Sequence, residues 1–502
     1  MTVQPIKAPQ PLSNLQATLL SLLFTLPITI VVILLTIGYR DTTGGLYAVA
    51  GIFAFGLAAV IFLRPEIGAY VLAVSLVTNV SWIMSDNGLP GINKPLVALV
   101  FISILASRIL SGNRSLQPIR FKSVELFMLV YGCVILASGF FAADRAKAFD
   151  TTFDYFKDFS ILLCILFAIS SIEQWKRLIW VVIASAAIPA SLAVYQVMTG
   201  DYTQTFGGFM KSSVDFIVTS LDAVRIGGPV GEPNYYSMIL CAIFPLVFYR
   251  LIGSRSLLTR FVALLATIAI GFAIITTYSR GGFITFCVML LAIVLERRVR
   301  VSILVIVILL TTATVPFLPK GYLDRLSTLT NLAPSQSLVA LYRDDSFRGR
   351  FSEMLSGVYM FVEHPILGVG AGNFPGNYQA YARRLGLEQR TEERDPHSLY
   401  TEVLAETGTL GVISFAGIFL ALFGGLRQAQ KRMASLAEHQ DLKLWLLSLQ
   451  IGLAAYLFNS IILHGNFIRY LWMLVSIGIA AIHLTDQIWL RTIESESNKA
   501  SN

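Results

Sequence analysis

The chain has 502 residues, of which 55% are hydrophobic and only 14% charged, and its formal net charge is +8. A soluble domain averages roughly 25% charged residues, so the composition excludes a soluble globular protein. Its charge-poor stretches of about 18–23 residues suffice, as helices, to cross a hydrocarbon core of ~30 Å. We attribute the positive charge to membrane orientation and expect no nucleic-acid partner.

The predicted fold class is all-α, a polytopic integral membrane protein with about 14 transmembrane helices (12 to 14) and one large extracytoplasmic helical loop. The predicted spans begin near Ala17, Leu46, Ile67, Pro95, Val124, Tyr155, Leu178, Tyr235, Phe261, Gly281, Val301, Leu399, Leu444 and Tyr470. The weakest are the sixth, whose start is charged, and the short tenth. All four cysteines lie inside apolar runs and are predicted to pack there, so we expect neither a disulfide nor a metal site.

The predicted organisation divides the chain into seven segments. They are a disordered cytoplasmic N-terminus (1–16), transmembrane helices 1–7 (17–198), a first extracytoplasmic loop (199–234), helices 8–11 (235–318), a large extracytoplasmic loop (319–396), helices 12–14 (397–490) and a cytoplasmic tail (491–502). With the N-terminus inside, the inside segments hold 20 lysines and arginines and the short outside segments hold 7. The positive-inside rule therefore predicts that both ends of the chain are cytoplasmic.

The large loop is too long to be a mere connector. An amphipathic helix is predicted from Ser346 to Glu363, because Phe347, Phe351, Leu355, Tyr359 and Phe361 recur mainly every fourth residue. A glycine-rich stretch, Gly368 to Gly372, follows. It lacks the preceding strand and the lysine of a phosphate-binding loop, so we favour a sharp turn that positions the helix.

Several charged residues on the predicted outer face need an explanation. Arg280 lies between two spans with almost no loop, where a charge must snorkel or face a polar cavity, and glycines follow it directly. Arg225 lies just before the eighth span, where a surface role is equally reasonable. His397 begins the twelfth span and, taken alone, could be a solvated histidine at a helix start.

Two carboxylates follow this histidine in an apolar helix, where each needs a partner. Glu402 is a weak candidate to orient His397, since about one and a half helical turns separate them, and Glu406 could instead face the loop. Gly408 and Gly411 could simply permit close helix packing. Of the loop arginines, Arg350 and Arg394 are possible supporting residues.

Four motifs in order resemble the O-antigen ligase and polymerase superfamily of bacterial surface-glycan enzymes. They are His397-Ser398-x9-Gly408-x-x-Gly411, the stretch from His364-Pro365 to Asn373-Phe374, Ser279-Arg280-Gly281-Gly282, and Gly231-Glu232-Pro233-Asn234. Order, spacing and sidedness agree across Ile226 to Gly411. These enzymes commonly have about twelve spans, so our first two predicted spans would be an extension.

The resemblance implies a multi-pass enzyme of the bacterial cytoplasmic (inner) membrane with its active site outside. It would take a glycan from an undecaprenyl-diphosphate carrier and join it to a glycan or lipid acceptor, among membrane lipids, with no cofactor and no metal. By this resemblance Arg225 and Arg280 would bind the diphosphate, and the catalytic residue His397 would act on the acceptor hydroxyl. Histidine's ordinary pKa of ~6.5 suits a base near neutral pH.

Three other functions stay open from sequence alone. A polymerase of O-antigen or exopolysaccharide repeat units would differ from a ligase only in its acceptor. A secondary transporter would also suit many helices, but such transporters place their polar residues near the membrane midplane, whereas here they gather on one face. A non-catalytic scaffold fits the topology but leaves the two arginines and the histidine unexplained.

Overall fold

A computed structural model describes residues 42–110, 121–213, 224–296, 345–388, 394–465 and 469–501. The described chain is almost entirely helical, which confirms the all-α prediction, and adds one two-stranded antiparallel ribbon. The elements preceding the ribbon are α1 Thr42–Leu63, α2 Pro65–Val77, α3 Val80–Asp86, α4 Asn93–Leu110, α5 Ser123–Gly139, α6 Arg145–Ala168 and α7 Ile172–Thr199. The ribbon and later helices are β1 Lys211–Ser213, β2 Arg225–Gly228, α8 Pro233–Gly253, α9 Leu257–Thr276, α10 Arg280–Leu295, α11 Asp345–Glu363, α12 Phe374–Arg384, α13 Leu399–Ser435, α14 Leu442–Asn459 and α15 Arg469–Ser501.

Many helices begin where a polar side chain satisfies a backbone N–H that has no partner inside the helix. The capping residues are Asp144, Ser171, Glu232, Ser256, Ser279 and Ser398. Two of them, Ser279 and Ser398, directly flank Arg280 and His397. The same local chemistry that starts α10 and α13 therefore fixes the backbone beside both predicted site residues.

Six described helices are long and apolar enough to cross a membrane, namely α7, α8, α9, α13, α14 and α15. The bent pair α2 and α3 would make a seventh, and shorter apolar helices include Ser123–Gly139 and Arg280–Leu295. Each predicted span except the first and the eleventh coincides with a described helix. Those two lie outside the described residues, so the total of fourteen stays a prediction.

The core is organised around two helices. Helix α8 is the most enclosed candidate span and packs against α9, α10 and α14. Helix α13 packs against α5, α11, α14 and α15. Because α13 contacts both the loop helix α11 and the membrane helices, it connects the large loop to the bundle.

Ion pairs join three segments at the opposite end of α13 from His397. Lys122, before α5, and Arg432, near the end of α13, both pair with Asp486 of α15. Fully buried Glu125 pairs with His483. The one fully buried carboxylate of this group, Glu125, therefore has a partner, as burial requires.

The helix predicted from Ser346 to Glu363 is confirmed as α11. Its buried face, however, is not the predicted apolar stripe, because Ser352, Glu353, Ser356 and Met360 are the buried side chains while Tyr359 is 40% exposed. The physical reason is that α11 turns its polar side toward α13, where a carboxylate finds a partner.

Candidate active site

The turn between α14 and α15 contacts the chain neighbours of two predicted site residues, His397 and Arg280. The backbone N–H of Leu399, at the start of α13, donates to the carbonyl oxygens of Ser460 and Leu463 at 3.0 and 3.1 Å. A Cβ added at Gly281, at the start of α10, would overlap the side chain of Ile462. The starts of α10 and α13 therefore lie against one turn, at the same end of the bundle.

Arg280 follows a turn of three residues, Thr277–Ser279, which confirms that almost no loop joins these helices. Tyr278 is buried and has a φ of +49°, a left-handed conformation that costs free energy for a side chain of this size. The two glycines after Arg280 admit neighbouring helices, since a Cβ at Gly282 would overlap Ser237 of α8. Close packing by protein, rather than approach by a ligand, explains these glycines.

Arg225, the first residue of β2, is tied to the same turn. Its Nε donates to the carbonyl oxygen of Thr277 at 3.1 Å, and its Nη2 donates to Oδ1 of Asn234 at 3.0 Å. The hydroxyl of Ser279 donates to that same Oδ1 at 2.8 Å. Asn234 thus joins Arg225 to the residue preceding Arg280. The two arginines predicted to bind the diphosphate are therefore linked through Asn234 and the Thr277–Ser279 turn.

His397 is held by a carboxylate that the sequence did not reveal. Its Nδ1 lies 2.6 Å from Oε2 of Glu353, which is 1% exposed and comes from the loop helix α11. Nη1 of Arg394 lies 3.9 Å from the other oxygen of Glu353. A carboxylate at Nδ1 favours the tautomer that keeps the proton there, leaving Nε2 with a lone pair.

The three supporting residues predicted from sequence have different places. Arg394 approaches Glu353, as just described, and Arg350 is half-buried on α11. Glu402 is buried in the first turns of α13, and the carboxylate 2.6 Å from Nδ1 of His397 belongs to Glu353. Glu353 is therefore a further residue that positions the histidine, and the supporting role of Glu402 stays a prediction.

A second histidine stands next to the first. The ring of His464 lies 6.2 Å from the ring of His397 and 5.4 Å from that of Tyr235, measured between centroids. Its Nε2 lies 3.5 Å from Oδ2 of Asp395. Burial, and secondarily the neighbouring His397, lower the pKa of His464 below its ordinary value of 6.5, against opposing effects of Asp395 and Glu353. The ring of His464 lies between Tyr235 of α8 and the predicted base.

The motif Gly408-x-x-Gly411 marks a break in α13. Gly408 has φ +62° and ψ −159°, a conformation open essentially to glycine alone. Backbone groups on both sides of the break lack helical partners and instead bond to the elbow between α11 and α12, which we define as residues 364–373. Val369 N–H donates to Ala405 O at 2.9 Å, and Thr409 N–H donates to Pro365 O at 2.8 Å.

Glu406 completes this junction. Its two carboxylate oxygens accept the backbone N–H groups of Gly372 and Phe374 at 2.7 and 3.0 Å, so it caps α12 from another helix. Asn373 exchanges hydrogen bonds with the backbone of Asp144, before α6. The glycine-rich stretch is therefore a sharp turn, as favoured from sequence, and its amides serve the protein. Among the described residues, no group of three His, Cys, Asp or Glu side chains converges as a metal site would require.

Residues 238–416 match the family model of O-antigen ligase. The match confirms the resemblance to the O-antigen ligase superfamily and supports a membrane enzyme of the ligase or polymerase type. The matched segment contains Arg280, Glu353 and His397, whereas Arg225 and His464 lie outside it. No curated protein matches the chain.

Proposed function

We propose that the chain is an O-antigen ligase-like glycosyltransferase. It moves a glycan from an undecaprenyl-diphosphate carrier to an acceptor sugar hydroxyl, on the outer face of the bacterial cytoplasmic membrane. The observation that carries this proposal is the half-exposed His397, with Nδ1 held by buried Glu353, at the same end of the bundle as Arg225 and Arg280. The matched family segment supports the reaction class.

The proposed reaction is a single displacement at the anomeric carbon. His397 Nε2 takes the proton of the acceptor hydroxyl while that oxygen forms the new glycosidic bond. The bond between the anomeric carbon and the diphosphate oxygen breaks, and the electron pair leaves with the diphosphate. Attack opposite the leaving group inverts the anomeric centre. Glu353 stabilises the imidazolium formed at His397, as a carboxylate does in other catalytic pairs.

The two arginines are proposed to bind the leaving group. Negative charge grows on the diphosphate as the bond breaks, and guanidinium groups offer forked, charge-assisted hydrogen bonds to phosphate oxygens. Donors fixed before the reaction stabilise such charge without reorganisation. The bonds from Arg225 to Thr277 and Asn234 support this role, since they fix one guanidinium in advance.

His397→Ala tests the proposal. We expect the variant to reach the membrane at wild-type level and to lose glycan transfer, because the hydroxyl loses its base. The measurement is transfer from purified lipid-linked glycan to acceptor, with protein level followed by immunoblot. His439→Ala, in the connection between α13 and α14 at the opposite end of α13, is the matched control and should transfer normally. Full activity of His397→Ala would refute the proposal.

Deletion of the gene separates the two acceptor classes. Loss of all attached glycan chains would support a ligase, whereas retention of single repeat units would support a polymerase. Loss of attached chains with lipid-linked glycan missing from the outer leaflet, where loss of a ligase would instead let it accumulate, would favour the transporter and count against transfer chemistry.

A further inference from the structure

The polar and apolar faces of α11 are inverted relative to a surface helix of a soluble domain. The face that packs on α13 carries Glu353 and two serines, all of them buried. The opposite face carries Met354, Val358 and Val362, which recur every fourth residue and are 37–64% exposed. We call these three residues the outer stripe. The proposed transfer chemistry uses the polar face, through Glu353, and leaves the outer stripe without a role.

The outer stripe is contiguous and uncharged. From Met354 to Val362 the sequence of α11 contains no charged residue, and Tyr359 beside the stripe is also exposed. At the rise of an α-helix the stripe is ~12 Å long. Single exposed apolar side chains are ordinary on a protein surface, but a contiguous row of them marks contact with a partner or a membrane.

The outer stripe ends beside exposed apolar residues of a candidate membrane span. Ile366, four residues beyond Val362, is 65% exposed, and its carbonyl oxygen accepts the N–H of Leu410 at 3.3 Å. Leu410 and Ile413 are themselves exposed on α13, which is long and apolar enough to cross a membrane. Exposed apolar side chains of a span face lipid, so the end of the outer stripe lies next to a lipid-facing surface.

We propose that the outer stripe is immersed in the outer leaflet of the bilayer, an inference that rests on the proposed function only for the choice of leaflet. Helix α11 is not among the described helices that could cross a membrane. A helix with one apolar face and one polar face lies along the interface instead. A protein partner on this stripe would also have to displace the lipid around Ile366 and Leu410.

The immersion sets the depth of the active site. Glu353 lies on the opposite face of the same helix, and a helix with its side chains is ~10 Å across. An interfacial helix buries its apolar face at the boundary between headgroups and acyl chains. The pair formed by Glu353 and His397 therefore lies near the level of the lipid headgroups, which is also the level of a diphosphate attached to a membrane-embedded tail.

Spin labels measure this contact. Val362→Cys in a cysteine-free background carries a nitroxide, and the protein is placed in lipid nanodiscs. The measurement compares collisions of the label with oxygen, which concentrates in hydrocarbon, and with a water-soluble nickel chelate. We expect the oxygen-to-nickel ratio at Val362 to match that at Ile413→Cys on α13. It should exceed severalfold the ratio at Ala380→Cys, an exposed position on the polar side of α12.

Two results would overturn the proposal. A ratio at Val362 equal to that at Ala380 would mean that water covers the outer stripe. Few collisions with either reagent would mean that protein covers it, either a second copy or another partner. Val358→Cys repeats the measurement on the same stripe if the first variant does not fold. Because the label reports contact and not transfer, the expected ratio in a protein without glycan transfer would refute the proposed function and leave the lipid contact standing.

Discussion

A carboxylate that is 1% exposed is costly unless its charge is compensated. Glu353 is compensated by the imidazole of His397 at 2.6 Å and by Arg394 at 3.9 Å. It stands on a loop helix, whereas His397 begins a membrane helix. The pair therefore joins the loop and the bundle at the residue on which the proposed chemistry depends.

Replacing Glu353 by Gln should lower the transfer rate about a hundredfold. The amide cannot balance the imidazolium, and it can bond either imidazole tautomer. The measurement is kcat as a function of pH. A purely structural role would leave the shape of that profile unchanged. Here we expect the profile to change shape, because a carboxylate charge beside the reacting groups is lost.

The control for this change is Glu363→Gln on the same helix. Glu363 is more exposed and pairs with Tyr381 and Arg384. It should retain wild-type kcat and the wild-type profile. An unaltered pH profile in Glu353→Gln, or an equal change in Glu363→Gln, would contradict the assignment.

Replacing Arg280 by Lys should lower kcat/KM about 10–100-fold, since an ammonium keeps the charge but loses the forked contact to phosphate. Steady-state kinetics with the lipid-linked donor provide the measurement. Arg427→Lys, at the far end of α13, should be unaffected. Wild-type kcat/KM in Arg280→Lys would remove Arg280 from the diphosphate site.

The motifs were sufficient to select His397 and Arg280 from sequence, but not their neighbours. Glu353 lies 44 positions before His397, and its helix was interpreted by its apolar stripe. Asn234 lay within a recognised motif, although its bonds to Arg225 and Ser279 depend on the fold of three segments.

At the scale of elements, the break in α13 fixes the position of the large loop relative to the bundle. Gly408 leaves the helical conformation, and the elbow then bonds the exposed carbonyl and N–H groups on both sides of the break. The sequence placed the helix α11 correctly. It did not predict the break, because two glycines three residues apart also suit close packing of straight helices.

Gly408→Ala should destabilise the fold by about 1–3 kcal/mol from backbone strain alone. A Cβ there would also contact the carbonyl group of Ile366 at 2.5 Å. The expected result is a lower thermal unfolding temperature in detergent and faster proteolysis of the loop between α11 and α12.

Gly424→Ala serves as the control on the same helix, because a Cβ at that position meets nothing within 4 Å. It should match or slightly exceed the wild-type unfolding temperature, since alanine is the better helix former. Equal stability of the two variants would show that the positive φ of Gly408 carries no constraint.

At the scale of the whole molecule, the two ends of α13 have different charged partners. The His397–Glu353 pair lies at one end and the ion pairs of Asp486 lie at the other. The predicted orientation puts the site outside and the Lys122, Arg432 and Asp486 cluster in the cytoplasm. This orientation rests on the composition and the charge distribution of the sequence and stays a prediction. Composition and charge could not define each span, because α6 is charged at its start and α10 is short.

Single cysteines in a cysteine-free background test the orientation. Arg384→Cys, on α12, should react with a membrane-impermeant maleimide in intact spheroplasts. Ser435→Cys, at the far end of α13, should react only after permeabilisation. Both positions are exposed, so access to solvent is comparable. The reverse labelling pattern would invert the predicted topology.

The bonds between Asn373 and Asp144 have a consequence for exchange of parts between related proteins. In the segment that matches O-antigen ligase, Asn373 bonds to the turn before α6. The N–H of Ala371 also donates to the hydroxyl of Ser138 in α5. Both anchors precede that segment by roughly a hundred residues. A chimera that transplants this segment alone therefore loses the hydrogen bonds to Asp144 and Ser138. A cassette that is to fold in a new host must include α5 and α6.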